Sequence, residues 1–168
     1  MAIREILTDK DPVLHKKCHP VTQFDDKLAT LLDDLKETLA AANGAGLAAP
    51  QIGILRRVVV VLDEADEMLE LVNPEILSQS GEQDGLEGCL SVPGMWGYVL
   101  RPMKVKVRAQ DRNGNWFEVK GEEMVARCFC HEIDHLDGHV FSEHVDCLYT
   151  NEELEELLAE EEKKGKRR

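Results

Sequence analysis

The stretch His131-Glu132-Ile133-Asp134-His135 carries the clearest chemical signal in the sequence. On a helix, residues four apart stand one above the other, about 5–6 Å apart at Cβ. Two imidazoles so placed can grip one divalent cation from the same side. Glu132 points off that axis but within reach of a water beside the cation, where a carboxylate acts as a general base. A catalytic cation keeps a position open, so three protein ligands are expected and a third is needed. The alternative is a solvated helix with incidental acids. It is weakened because both histidines share a helical stripe with Met124 and Cys128, which should face inward. Unpaired imidazoles buried there would be costly.

Several residues compete for the third position. His139 follows Gly138, which should break the helix before it, and Phe141 stands where a metallopeptidase of the long HExxH type would place its third histidine. Glu143, His144 and Asp146 lie nearby. Cys130 should project away from the histidine pair, and Cys128 reads better as pocket lining. Cys89 is the best-placed distant cysteine, in what reads as a glycine-rich loop, Gly85-Leu86-Glu87-Gly88-Cys89. Taken alone, such a cysteine is more often a small buried apolar residue.

These side chains need elements to hold them. Leucines at 28, 31, 32, 35 and 39 predict a helix over 26–42, capped by Asp25 or Asp26 and stopped by Asn43-Gly44. The run from Arg56 to Leu62 reads as a buried strand, and shorter strands follow at 68–72 and 75–79 with Asn73-Pro74 turning the chain between them. Residues 103–110 alternate Val with Lys or Arg, and Asp111-Arg112-Asn113-Gly114 turns them back through Trp116 and Val119 as a hairpin. The strip Pro93–Tyr98 reads as a loop, in which Trp96 either covers a substrate or simply packs. A helix over 122–137 carries the histidine motif, and Thr150-Asn151-Glu152-Glu153 opens a last helix with a capping box. The class is α+β: antiparallel strands around a central helix bearing the motif, with one helix on the N-terminal side and one at the C-terminus.

Three segments carry a family resemblance. Gly44-Ala45-Gly46-Leu47-Ala48-Ala49-Pro50-Gln51, then Glu87-Gly88-Cys89-Leu90-Ser91, then His131-Glu132-Ile133-Asp134-His135-Leu136 resemble the three motifs of the peptide deformylases in order and spacing. The resemblance covers nearly the whole chain through residue 148. It implies that Cys89, His131 and His135 bind one metal ion, Fe²⁺ foremost, with Zn²⁺, Ni²⁺ or Co²⁺ as replacements. It implies that Glu132 is the general acid/base, and that the Gln51 amide and the Leu90 backbone N–H donate to the substrate's carbonyl oxygen. The implied reaction removes the formyl group from the N-terminal formyl-methionine of newly made polypeptides and releases formate. Gly44, Ala45 and Gly46 would pair with the substrate backbone, and Gly88 allows close approach beside Cys89. Met124 and Cys128, with Arg127 less central, would wall the methionine slot. A zinc metallopeptidase of the HExxH type is the rival enzyme, but it gives Cys89 and Gln51 no role. A non-enzymatic metal-binding module is the third reading.

Composition sets the outer bounds. A chain of 168 residues suits one domain, which we expect over 1–150, with a C-terminal helix and basic tail over 151–168. No run approaches the ~18 apolar residues of a membrane span. The opening residues lack the apolar core of a signal peptide, so a cytoplasmic protein with five reduced cysteines is expected. A net charge of -13 argues against a surface built for nucleic acid. Five of the 20 basic residues nevertheless crowd into the last six, Lys163 to Arg168. That tail suggests weak docking on a polyanion such as the ribosome, or a solvated end that offsets the acids before it.

Overall fold

The five leucines form the buried stripe of α1 (Asp26–Ala42). Of the two aspartates expected at its start, Asp25 is the cap: its Oδ1 accepts the Leu28 N–H at 3.1 Å. Asn43 closes the helix in the left-handed region at φ 53°. The computed structural model describes residues 2–166, so Arg167 and Arg168 of the basic tail lie outside the described residues.

After α1 come β1 (Gly46–Ala48), β2 (Val58–Leu62) and β3 (Met68–Ser80). Side chains alternate across a strand, and β2 uses both faces. Val58 and Val60 join the leucines of α1, while Val59 and Val61 join a second core beneath the motif helix. The chain does not turn at Asn73-Pro74 as expected. β3 runs straight through, pairing first with β2 and then with a later strand, with a register shift between Val72 and Glu75. Asn73 takes φ 50° there, and its side chain bonds the Val21 N–H and carbonyl, while Pro74 brings no N–H to the ladder. The two extended pieces are therefore halves of one irregular strand.

A second correction concerns the cysteine loop. Cys89 ends a strand, β4 (Gln83–Cys89), and the supposed loop around Trp96 lies in β5 (Val92–Arg101), its antiparallel partner. The glycines that suggested a loop instead permit close packing. A Cβ on Gly97 would lie 2.6 Å from Val145, and one on Gly85 would lie 3.0 Å from the Arg127 guanidinium.

The expected hairpin forms as β6 (Lys104–Gln110) and β7 (Trp116–Glu122), in register from Lys104 opposite Glu122 to Gln110 opposite Trp116. The motif helix, α2 (Met124–Leu136), follows and stops before Gly138 at φ 83°. A short β8 (Tyr149–Thr150) leads into α3 (Asn151–Lys166), and of the expected capping box one half forms: Thr150 Oγ1 accepts the Glu153 N–H at 3.2 Å, while the Glu153 carboxylate takes the Thr150 hydroxyl at 3.2 Å. One sheet runs β1-β2-β3-β6-β7 and the other β4-β5-β8. α1 covers one face of the larger sheet. α2 lies between its other face and β5, a central helix in an α+β fold, as expected.

Candidate active site

Burial on every side positions the motif. Eleven residues of α2 are buried, His131, Glu132 and His135 among them. His135 Nε2 lies 3.3 Å from His131 Nε2 and 3.4 Å from Cys89 Sγ, and one donor atom from each of the three residues falls within 4.8 Å of the others. A tetrahedral ion with bonds of about 2.0 Å to nitrogen and 2.3 Å to sulfur has ligand–ligand edges of about 3.3–3.6 Å. The two separations at His135 match and the third closes within 4.8 Å, so the donor set fits one divalent cation. Among the described residues this is the one such group of three. The other candidates for the third position stand elsewhere: His139 pairs with Glu143, and His144 faces Asp134 at 3.5 Å. Cys130 packs into the core between α2 and the larger sheet, and burial pushes its thiol up to about 11.

Glu87 organises the side of the site away from solvent. Its carboxylate accepts from His131 Nδ1 at 2.7 Å, Arg101 Nε at 3.0 Å and Nη2 at 2.8 Å, and Arg127 Nη1 at 3.0 Å. Burial alone would raise its pKa, yet the hydrogen bonds from His131 and Arg101 hold it well below the usual carboxylate range. A carboxylate on Nδ1 fixes the His131 ring so that Nε2 faces the open corner, and it raises the basicity of that nitrogen. His131 accordingly binds a proton more tightly than an ordinary histidine: burial opposes this, but Glu132, Cys89 and Glu87 outweigh it. The same negative surroundings favour a cation at Nε2. His135 is shifted the other way, first by burial and then by His131, and so stays neutral and able to ligate.

Glu132 sits against β1. A Cβ on Gly46 would lie 2.6 Å from Glu132 Oε2, so only glycine leaves the carboxylate its place. Burial pushes this acid up to about 7, and its Oε1 has no hydrogen-bond partner among the described residues. A carboxyl poised near neutrality can both accept and return a proton, and a cation nearby would draw its pKa down again. Gln51 Oε1 accepts the Ala48 N–H at 2.9 Å, which turns Nε2 toward Ser91 Oγ at 3.0 Å and Cys89 Sγ at 3.6 Å.

A cleft of about 500 Å³ opens over these groups. Gly44, Ala45, Gly46, Gln51, Gly88, Cys89, Leu90, Met124, Cys128, His131 and Glu132 all line it. His135 does not, being only 1 % exposed. Cys128 is a wall and an inert thiol, its pKa pushed up to about 12 first by burial and then by Glu132. Met124 departs from expectation: it is 61 % exposed, because the first residue of α2 stands at the mouth of the cleft rather than inside it. Sequence reasoning missed the Glu87–Arg101–Arg127 cluster and the contact of Ser91 with Gln51. The available signal was Arg127, a charge four residues before His131 in an otherwise apolar run.

The chain matches the family model described as polypeptide deformylase over residues 3–151. It is 53 % identical over 146 residues to a peptide deformylase of Agathobacter rectalis, covering 87 % of this chain and 92 % of the relative. It is 54 % identical over 155 residues to one of Caldanaerobacter subterraneus subsp. tengcongensis, with coverages of 92 % and 97 %. Among solved structures, a peptide deformylase from Legionella pneumophila superposes with a TM-score of 0.83 at 47 % identity, over 86 % of this chain and 87 % of the other. One from Thermotoga maritima gives 0.83 at 36 % identity, over 88 % and 100 %.

Proposed function

The chain belongs to the polypeptide deformylase family, and from that premise we propose how its residues divide the work of removing formyl groups from nascent polypeptides. It is a metal-dependent hydrolase. The observation that carries the assignment of roles is the triangle of Cys89 Sγ, His131 Nε2 and His135 Nε2 with the Glu132 carboxyl beside it. These three residues would hold the metal ion. When bound, a divalent ion supplies Lewis acidity, polarising the formyl carbonyl and making water a competent nucleophile near neutral pH.

The protein groups do the rest. Glu132 takes a proton from the attacking water and returns it to the leaving amine nitrogen. Gln51, its amide oriented by the Ala48 N–H, and the backbone N–H of Leu90 donate to the oxygen where negative charge develops, each worth about 3 kcal/mol of barrier. β1 is an edge strand of the larger sheet, and Gly44 and Ala45 before it, with Gly46 at its start, offer the edge to which the substrate backbone adds as a further strand. Cys128 bounds the methionine slot, Met124 stands at its mouth, and Gly88 lines the cleft beside Cys89. Cleavage of internal peptide bonds is the weaker reading, because it leaves Cys89 and Gln51 without work.

The experiment is formate release from formyl-Met-Ala-Ser, with unformylated Met-Ala-Ser as the control for peptide-bond cleavage. Formate without new amino termini inside the peptide is expected; the converse overturns the reading. We propose Fe²⁺ as the ion in vivo on the family resemblance; a thiolate with two imidazoles suits Zn²⁺, Ni²⁺ and Co²⁺ equally, so the choice is made by experiment. Anaerobic purification with metal analysis tests this: activity that disappears in air but persists with Ni²⁺ supports iron, and equal activity in air overturns it. No helix among the described residues is long and apolar enough to cross a membrane. We place the protein in the cytoplasm, where formylated chains emerge. Residues 1–150 form the catalytic domain and 151–168 an appended helix and basic tail. That tail docks weakly on the ribosome, and deletion of 163–168 lowers co-sedimentation at low salt; unchanged binding refutes the docking.

A further inference from the structure

The larger sheet ends at β7, and beyond it no strand among the described residues pairs. This edge is regular. β6 and β7 match residue for residue from Lys104–Glu122 to Gln110–Trp116 with no register shift, and no proline lies between Trp116 and Glu122. Two bonds just outside the ladder fix which backbone groups the edge offers. The Glu123 N–H donates to the Met103 carbonyl at 2.8 Å, and the Asp111 N–H to that of Asn115 at 2.9 Å. Hydrogen-bonded pairs alternate along an antiparallel ladder. Phe117, Val119 and Gly121 therefore direct their N–H and C=O groups at β6, while Trp116, Glu118, Lys120 and Glu122 point theirs outward.

An open edge of this kind pairs with another strand unless its charges forbid it. A second copy of β7, antiparallel to the first about a two-fold axis, can meet the outward groups near mid-strand in three registers. One sets Glu118 against Glu118; another sets Lys120 against Lys120 and Glu118 against Glu122; like charges face each other in both. The register between them puts Val119 on the axis. Glu118 of each copy then stands opposite Lys120 of the other, and Trp116 opposite Glu122, all as hydrogen-bonded pairs. Within one chain Glu118 pairs with Lys106 at 3.2 Å and Glu122 with Lys104 at 3.8 Å, whereas Lys120 has no ion-pair partner among the described residues. On the face toward α2, the same register brings Val119 against Val119 and Phe117 against Gly121. Phe117 and Val119 pack on the core beneath α2 yet are only half-buried in the single chain.

We propose that β7 is a docking edge for a second copy of this chain, paired in the register centred on Val119, so that the two larger sheets become one. Backbone parity and side-chain charge select the same register independently. The contact between two seven-residue strands is small, so the association is weak and concentration-dependent. The net charge of -13 opposes it at low ionic strength, but in about 0.15 M salt that repulsion is screened beyond about 8 Å. The two β1 edges lie at the far ends of the joined sheet and stay free for substrate.

The test carries the metal-loaded full chain through a concentration series up to the millimolar range in about 0.15 M salt, with mass followed by sedimentation. Mass should rise from 18.9 kDa toward double that value. Glu118→Lys or Lys120→Glu alone sets like charges on both sides of the axis and should weaken association about tenfold. Both side chains are exposed, so the variants keep the fold. An equal mixture of the two should associate again, because every Lys then meets a Glu. The register is read separately in a Cys147→Ser background. There Val119→Cys should give a linked dimer with glutathione disulfide, since Cα atoms facing across a non-hydrogen-bonded pair lie about 4.5 Å apart, within disulfide reach. Adding Lys120→Glu should suppress the link. Formate release should be equal in the native chain and the charge variants, and its absence from all of them would sink the deformylase reading alone. Mass fixed at 18.9 kDa, association untouched by either charge change, no recovery in the mixture, or no link at position 119 overturns the proposal.

Discussion

Helices α2 and α3 are similar in length, 13 and 16 residues, and opposite in what holds them. α2 buries eleven residues, four of them charged or imidazole side chains; β4 and β5 supply partners for Arg127, His131 and His135, and β1 packs against Glu132. α3 has a polar surface broken by Leu154, Leu157 and Leu158, none of them fully buried, and is anchored through its Thr150 cap and Asn151, which accepts the Trp96 indole N–H. Geometry accurate enough for chemistry needs the first kind of support, where every rotamer is locked by packing and hydrogen bonds. The second kind can bias a site only through the few atoms that touch it.

The largest effect should come from the centre of α2. Glu132→Gln removes the proton carrier and keeps the shape, so kcat should fall by about 10²–10⁴ while metal content stays intact. Turnover near that of the native protein would break the claim that α2 supplies chemistry as well as support. Glu87→Gln comes next. It leaves Arg101 and Arg127 buried, 7 % and 4 % exposed, with their shared counter-charge gone. Stripping the partner from a buried charge costs about 3–5 kcal/mol, and losing the carboxylate behind a ligating histidine weakens metal binding about 10–100-fold. Urea unfolding and metal titration measure the two losses separately.

α1 stands between the extremes, with a leucine core inside and ion pairs outside. Glu70 of β3 accepts from Arg112 at 2.9 Å and 2.5 Å and pairs with Lys36 of α1 at 2.6 Å. Burial alone would raise its pKa, but Arg112 and Lys36 hold it below the ordinary carboxylate value. A carboxyl depressed on folding stabilises fully above its unfolded value of about 4.3, and that stability drains as the pH falls through the folded value. Glu70→Gln should therefore cost about 1 kcal/mol at pH 7, and the gap in urea midpoints should narrow by pH 3.5. A gap that widens with acid would remove α1 from its intermediate place.

What could be read from the sequence was local. The i, i+4 histidines, the leucine stripe of α1 and the Asp111–Gly114 turn announce themselves within a few residues, and each element formed where expected. What could not be read depends on distant partners. Gly85, Gly88 and Gly97 looked like loop residues because nothing nearby reveals that Arg127, Trp96 and Val145 will press on them. Asn73 looked like a turn because its bonds to Val21 lie 52 residues away. Glu87 drew notice only as part of a motif, since its arginines stand 14 and 40 residues further on. The site was legible where one helix carries it and opaque where strands complete it.

The smallest expected effect tests the far side of the comparison. Leu158 is 44 % exposed, on the stripe that α3 offers with little in return. If α3 is held through its start rather than its face, Leu158→Ser loses little buried area and should shift stability by less than about 0.5 kcal/mol, with formate release unchanged. The same change at Phe129 of α2, which is 0 % exposed, is a large-to-small substitution in a closed core and should cost about 3–5 kcal/mol. Thermal melts of the two variants side by side measure the contrast. Comparable losses would mean that the α3 stripe is seated on something in solution and that α3, like α2, is held by what it covers.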